Sequence, residues 1–512
     1  MSLELKQKVG QLFMVGFDAL EPNEQIERLI REQRIGGVIL FRRNVHTPAQ
    51  LARLARRLQE INAEVSDQPL LIAIDQEGGM VMRIEQGVTP IPAAMAFQAA
   101  GSVDDCEALS YVNGDELRQM GINMNLAPVL DVNNNRLNPV IGVRAYGEDA
   151  ATVSRYGLAA VRGLRRAGIV ATAKHFPGHG DTSTDTHYDM ASVAHGRERL
   201  DAVELAPFKA AIAEGVDAIM TAHVMFPAIE PDPTVPATLS RAVLTDLLRS
   251  EMGFKGVVIS DCLEMAAISQ GIGVARGAVE TVKAGTDIVL VSHMIERQLA
   301  AIEAVTQAVE AGEIPMARVE EALARIYRLK ANAAVAGWRE QPVEPQRMMQ
   351  PEALALAQRV QREALRVEGG FKPLDRTRPV LLVTFEVRSR SEIDEVALAR
   401  NKEPRSSMLD GLREAGYEVR EFALSAEALE AEVAEAQAFV QGAAQIVVQT
   451  YNAVLVPGQQ RYLASLPQQA LWLVAGRLPY DLELAPAAQG RLAAFGCRPA
   501  ALVPVVEKLA GN

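Results

Sequence analysis

The chain has 512 residues, 49% of them hydrophobic and 23% charged, which is the composition of a folded protein large enough for two or three domains. Its formal net charge of −12, without any dense Lys/Arg block, excludes the electrostatic footprint of a nucleic-acid binder and points to a neutral or anionic small molecule as partner. Cys106, Cys262 and Cys497 lie far apart, which excludes a disulfide framework and a cysteine zinc site, and the charged N-terminal MSLELKQKVGQLFMVGF reads as neither a signal peptide nor a membrane span. Free thiols and a cytoplasmic location are therefore expected, with no membrane partner.

In chain order, short apolar runs predict strands at 11–17, 36–40, 70–75, 123–129, 169–175, 218–224, 256–261 and 287–292, each followed by a helix-like segment. Near-continuous apolar strands alternating with helices predict a parallel sheet covered on both faces, and eight such units in about 330 residues match a (β/α)8 TIM-like barrel. The Pro- and Gln-rich GWREQPVEPQRMMQPEA after Leu329 is the expected boundary. Strands expected at 379–385, 418–424, 444–450 and 470–476 then build a smaller α/β-sandwich domain. The expected division is a barrel over 1–335, a linker and helix over 336–375, and an α/β domain over 376–512.

Asp75, Lys174, His175, His223 and Asp261 all fall at the C-terminal ends of these strands, the end that carries the active site in such barrels. The densest stretch is KHFPGHGDTSTDTHYDM, from Lys174 to Met190. Its Gly and Pro make it an irregular loop, which cannot offer histidines on one helical face as zinc proteases do. A metal reading of His175, His179, Asp181 and His187 competes with acid/base work. In the latter, Asp185 and His187 point the same way in extended chain, so the carboxylate holds one imidazole nitrogen and leaves the other facing substrate. Asp261 in ISDCLEM is either an attacking carboxylate or the N-cap of a helix, with Glu264 at capping-box spacing. Asp75 and Arg83 in AIDQEGGMVMR suit hydrogen bonds to sugar hydroxyls, and that stretch has no phosphate-loop Lys-Ser/Thr. Arg144 is a ligand donor or a surface residue, and His223 contacts ligand or is only hydrogen-bonded in the core. His46, His195 and His293 have no constellation around them and are read as structural.

The motifs IDQEGG, NLAPVLDVN, NPVIG.RAYG, KHFPGHGDT..D.H and VVISD..EM, in this order, resemble glycoside hydrolase family 3, in its β-N-acetylglucosaminidase branch, over about residues 5–330. The C-terminal unit resembles the α/β-sandwich domain that many members carry. The resemblance implies a retaining enzyme that needs no metal and no cofactor, with Asp261 as nucleophile, His187 as acid/base and Asp185 orienting it. It implies that Asp75, Arg83, Arg144, Lys174 and His175 hold the N-acetylglucosamine, with His223 as a further candidate contact. Because a neutral His187 does not repel an anion as a Glu base does, phosphate is a candidate acceptor. The alternatives are a phosphorylase of the same glycosides, a β-glucosidase, and a catalytically silent sugar-binding protein. Met80, Cys262 and the stretch after His187 depart from the family pattern, and the first and last are expected to alter aglycone choice.

Overall fold

The computed structural model describes residues 3–183, 191–340, 345–385 and 407–512. Eight parallel strands form its first sheet: β1 (Phe13–Val15), β2 (Gly37–Leu40), β3 (Leu71–Ile74), β4 (Met124–Asn125), β5 (Val170–Phe176), β6 (Ala218–Thr221), β7 (Val257–Ile259) and β8 (Val289–Val291). Their order is β7-β6-β5-β4-β3-β2-β1-β8, and a parallel bridge between Ile259 and Ile288 joins the two ends into the expected TIM-like barrel. The fourth strand is shorter than expected, ending at Asn125, and a parallel bridge between Val129 and Lys174 resumes the pairing beyond it.

Side chains alternate across each strand, since successive Cβ atoms point to opposite faces. Met14, Ile39, Leu71, Ala73, Met124, Val170, Met220, Val257, Ile259 and Leu290 fill the barrel interior. Phe13, Val15, Val38, Leu40, Ile72, Ile74, Ala171, Ala173, Ile219, Val258, Val289 and Val291 face outward to the helices. This parity decides which strand-end residues reach the mouth. Asp75 continues the inward series Leu71 and Ala73, and Asp261 continues Val257 and Ile259.

The second sheet has six strands: β9 (Arg366–Glu368), β10 (Val380–Phe385), β11 (Val419–Leu424), β12 (Ile446–Thr450), β13 (Leu471–Ala475) and β14 (Gly490–Ala493). The order is β9-β14-β13-β12-β10-β11, parallel except for the β9/β14 pair. Four of these were expected. β9 lies inside the segment read as linker and helix, because its Arg-Val-Glu sequence is polar and mostly exposed at the sheet edge; β14 is a short Gly-Arg-Leu-Ala run. One face of this sheet, through Val383, Val448 and Leu473, shares a core with Met80, Met95 and Val143 of the barrel loops. The second unit therefore packs against the barrel mouth rather than its flank. Among the described residues no helix is long and apolar enough to cross a membrane. Cys106 and Cys262 are buried thiols, and Cys497 is a half-buried one.

At the other end of the barrel lies Lys330, 1% exposed, whose ammonium donates to Gln11 Oε1 at 2.8 Å. Burial pushes its pKa down to about 7. Unfolding restores the ordinary value of 10.5, so below about pH 7 both states carry the proton and the full burial cost remains; between the two values the unfolded state binds more protons and stability rises with pH. Lys330→Met is accordingly expected to stabilise the protein by a few kcal/mol at pH near 7, on the order of what a shift of this size implies. The gain should shrink toward pH 9, read as denaturation midpoints; a gain independent of pH would show that the charge is not its source.

Candidate active site

Six of the expected residues, Asp75, Arg83, Arg144, Lys174, His175 and Asp261, line one cavity of about 530 Å³ at the C-terminal end of the barrel, together with Glu77, Phe41, Cys262 and Met265. A larger cavity of about 1570 Å³, between Arg136, Glu148, Glu363 and Tyr480, contains none of the strand-end groups that the parity of the barrel delivers. The chemistry therefore belongs to the smaller one.

The cavity wall is a network of buried charges. Lys174 Nζ donates to Asp75 Oδ1 at 2.8 Å and pairs with Glu77 Oε1 at 2.7 Å. Arg144 grips Glu77 with two parallel bonds, Nε to Oε2 and Nη2 to Oε1, each 2.9 Å, while Arg83 Nη2 reaches Asp75 Oδ2 at 3.4 Å. Burial by itself would push both carboxyls up. The cations outweigh it, so Asp75 is held below the usual range by Lys174 and Arg83, and Glu77 far below it by Arg144 and Lys174. Both remain ionised acceptors, fixed in place before any ligand arrives.

His175 is set by Asp131. Its Nδ1 lies 2.7 Å from Asp131 Oδ2, and its backbone N–H donates to Asp131 Oδ1 at 3.2 Å. A carboxylate only accepts, so Nδ1 carries the proton and Nε2 faces Arg144 Nη2 at 3.5 Å. By strand parity His175 would point outward with Ala173; the pairing register of β5 shifts between Ala173 and Phe176, and the side chain comes to the cavity. Asp131 also accepts from the backbone of His179, whose own pKa burial pushes down to about 4, so His179 is neutral at physiological pH.

Asp261 follows β7 directly. Its Oδ1 accepts from the backbone N–H of Cys262 at 2.7 Å, and its own N–H donates to Thr221 Oγ1 at 3.3 Å, which fixes the rotamer at the mouth. The capping alternative falls: the next helix starts at Ala266 with Met265 at its N-cap. Glu264 instead accepts from the backbone N–H groups of Ser292, His293 and Met294, tying this loop to the end of β8.

His223 has both ring nitrogens engaged by protein groups. It is fully buried, with Nδ1 2.8 Å from Thr238 Oγ1 and Nε2 2.9 Å from the Cys262 carbonyl, and it does not line the cavity. It braces the loop that carries Asp261. Asp185 and His187 lie outside the described residues.

Glu77 and Asp131 were missed. Each sits in a quoted motif near a strand end, and the signal was the excess of buried cations: Lys174, Arg83 and Arg144 need more than Asp75 to balance them.

The second unit reaches the site through Arg498, whose Nη2 donates to the Met80 carbonyl at 2.9 Å and whose Nη1 pairs with Glu85, itself held by Arg42. Met80 Sδ packs 3.7 Å from Cys497 Sγ. Met80 thus faces the second unit instead of the cavity, and the loop bearing Arg83 is clamped from outside. Arg498→Ala is expected to raise KM several-fold with kcat little changed, since it loosens a positioning loop without touching Asp261; steady-state kinetics in which kcat alone falls would contradict this.

Comparison with known proteins agrees with this architecture. The model of the glycosyl hydrolase family 3 N-terminal domain matches residues 4–329, which spans all eight barrel strands. The chain is 38% identical over 329 residues to Beta-hexosaminidase A of Pseudoalteromonas piscicida, a match covering 60% of this chain and 55% of that one. It is 37% identical over 289 residues to Beta-hexosaminidase of Xylella fastidiosa strain 9a5c, covering 55% of this chain and 83% of the relative. Thus the chain spans only about half the length of the first of these relatives. Among solved structures, a glycoside hydrolase family 3 beta-N-acetylglucosaminidase from Paenibacillus sp. str. FPU-7 superimposes with a TM-score of 0.92 at 46% identity, over 100% of this chain and 97% of that one. A family model that takes in the whole barrel, and a likeness that extends through both sheets, mean that the chain belongs to glycosyl hydrolase family 3.

Proposed function

We propose that the protein is an exo-acting, retaining β-N-acetylglucosaminidase that releases terminal β-linked N-acetylglucosamine, with peptidoglycan-derived saccharides in the cytoplasm as its substrates. The observation that carries this reading is Asp261, a carboxylate held by backbone groups at the mouth of a cavity whose opposite wall is the Asp75–Lys174–Glu77–Arg144 network. Family membership and the names of the relatives support the reaction class and the sugar.

The ion network supplies fixed acceptors and donors for hydroxyl groups: Asp75 carries two ionised oxygens, and Lys174, Arg83 and Arg144 supply the donors. Binding then needs no reorganisation of charge at the moment of reaction. In the first step a carboxylate oxygen of Asp261 attacks the anomeric carbon as the glycosidic C–O bond breaks, and His187 gives its proton to the leaving oxygen. In the second, water attacks the same carbon, hands a proton to His187 and releases Asp261, so configuration is retained overall. Asp185 orients His187 for these transfers in this reading. Arg83, Arg144, Lys174 and His175 bind substrate in this reading.

Phosphate is the rival acceptor in the second step. The test is release of p-nitrophenol from the β-N-acetylglucosaminide and the β-glucoside, each with and without phosphate, following the sugar product. Free N-acetylglucosamine at a rate unaffected by phosphate, with the glucoside much slower, is expected. Accumulating sugar 1-phosphate would make the enzyme a phosphorylase, and equal rates on both glycosides would end the claim of acetamido recognition.

A further inference from the structure

Asp181 and His195 stand on either side, in sequence, of the stretch that carries Asp185 and His187, and the fold brings them together. His195 Nε2 contacts Asp181 Oδ2, and Glu204, just beyond the helix Arg197–Ala202, joins them: one ligand atom from each of the three lies within 4.8 Å of the other two. We propose that Asp181, His195 and Glu204 form a binding site for a divalent transition-metal ion of the Zn2+ class, which neither the sequence reading nor the glycosidase chemistry requires.

Two observations converge on it. The donor set is one imidazole nitrogen and two carboxylates, which suits Zn2+ and its neighbours; Mg2+ and Ca2+ select all-oxygen sites. Glu204 is the second. Its side chain is 2% exposed, and its Oε1 accepts from Asn134 Nδ2 at 3.1 Å and pairs with Arg199 at 3.4 Å. Its Oε2 is buried with no hydrogen-bond partner among the described residues. A buried carboxylate oxygen left bare costs free energy that a cation would recover.

Access is also provided. Asp181 and His195 are 22% and 40% exposed in their side chains, so an ion enters from solvent and seats against the buried Glu204. The His195–Asp181 contact must open to admit it, each donor then lying about 2.0–2.2 Å from the metal with water at the remaining position. Coordination would tie Asp181 to His195 and so fix both ends of the intervening segment. A second cluster of Cys262, Glu264 and His293 is a poorer candidate, because Glu264 already accepts from three backbone N–H groups and His293 Nδ1 accepts from Arg43 Nη1 at 3.0 Å.

The test uses the full chain without a histidine tag, stripped with a chelator, and zinc chloride titrated against a chromophoric chelator. One equivalent of zinc bound at micromolar concentration or tighter is expected, weakened at least tenfold in His195→Ala and in Glu204→Gln. Zinc should also raise the melting temperature of the parent protein and not that of His195→Ala. His195 is half exposed, so its replacement leaves the fold intact even should Glu204→Gln fail to fold. Unchanged zinc affinity in His195→Ala, or loss of the equivalent in Cys262→Ser with His195→Ala unaffected, would overturn the assignment.

Discussion

Asp261→Ala is expected to lower kcat on the p-nitrophenyl N-acetylglucosaminide by about 10³-fold or more, because in the proposed mechanism it removes the group that forms the covalent intermediate. The substitution also deletes the acceptor of the Cys262 N–H, so a loss of activity could be confused with a loosened loop. Asp261→Asn separates the two. Its amide oxygen still accepts from Cys262, the melting temperature should stay close to that of the parent, and turnover should fall as far as in the alanine variant. Azide added to Asp261→Ala should restore part of the rate and yield a glycosyl azide of configuration opposite to the substrate, since the small anion attacks from the face that the carboxylate vacated. Full activity in Asp261→Asn would remove Asp261 from the reaction, and an azide adduct of unchanged configuration would exclude it as the nucleophile on that face.

The barrel was legible because its strands are apolar on both faces, and such runs stand out from the helices between them. What the strand pattern did not carry was its own edge. β9 and β14 are short, and β9 sits exposed at the rim, so no hydrophobic run marks it. At the site, residues whose role follows from strand position were readable: Asp75, Lys174 and Asp261 lie on the inward parity of β3, β5 and β7. His175 is the opposite case. Parity alone would have sent it outward, and the register shift in β5 that turns it to the cavity is set by pairing with β6, a tertiary fact that no local pattern records. Glu77 and Asp131 escaped because each acts on another side chain, one through Arg144 and Lys174, the other through His175. Partnership at that distance in sequence leaves a trace only as a charge imbalance.

Lys174→Met tests whether that imbalance is real. Lys174 is 2% exposed and lies between two carboxylates, Asp75 at 2.8 Å and Glu77 at 2.7 Å, with Arg83 and Arg144 on their far sides. Methionine fills the space but removes the charge, leaving Asp75 only Arg83 at 3.4 Å and Glu77 only Arg144 at 2.9 Å as cationic partners. Breaking a buried pair in this way costs about 3–5 kcal/mol. The pH dependence gives the signature. In the parent protein Asp75 and Glu77 are depressed below their ordinary values, so they contribute stability that is present above the usual carboxylate range and is lost as pH falls through it. In Lys174→Met the depression is smaller, and at pH near 4 a carboxyl that has lost the ammonium can take up a proton and relieve its burial as an ion. The destabilisation measured by urea midpoints should therefore be largest near pH 7 and shrink toward pH 4. Activity should fall as well, chiefly in kcat/KM, because Asp75 and Glu77 lose the geometry that the ammonium imposes. Lys174→Arg is not expected to restore it, since a planar fork cannot occupy the point between two carboxylates that an ammonium fills. A destabilisation below about 1 kcal/mol and constant with pH would mean that Arg83 and Arg144 alone hold the two carboxylates, and that Lys174 serves the substrate rather than the network.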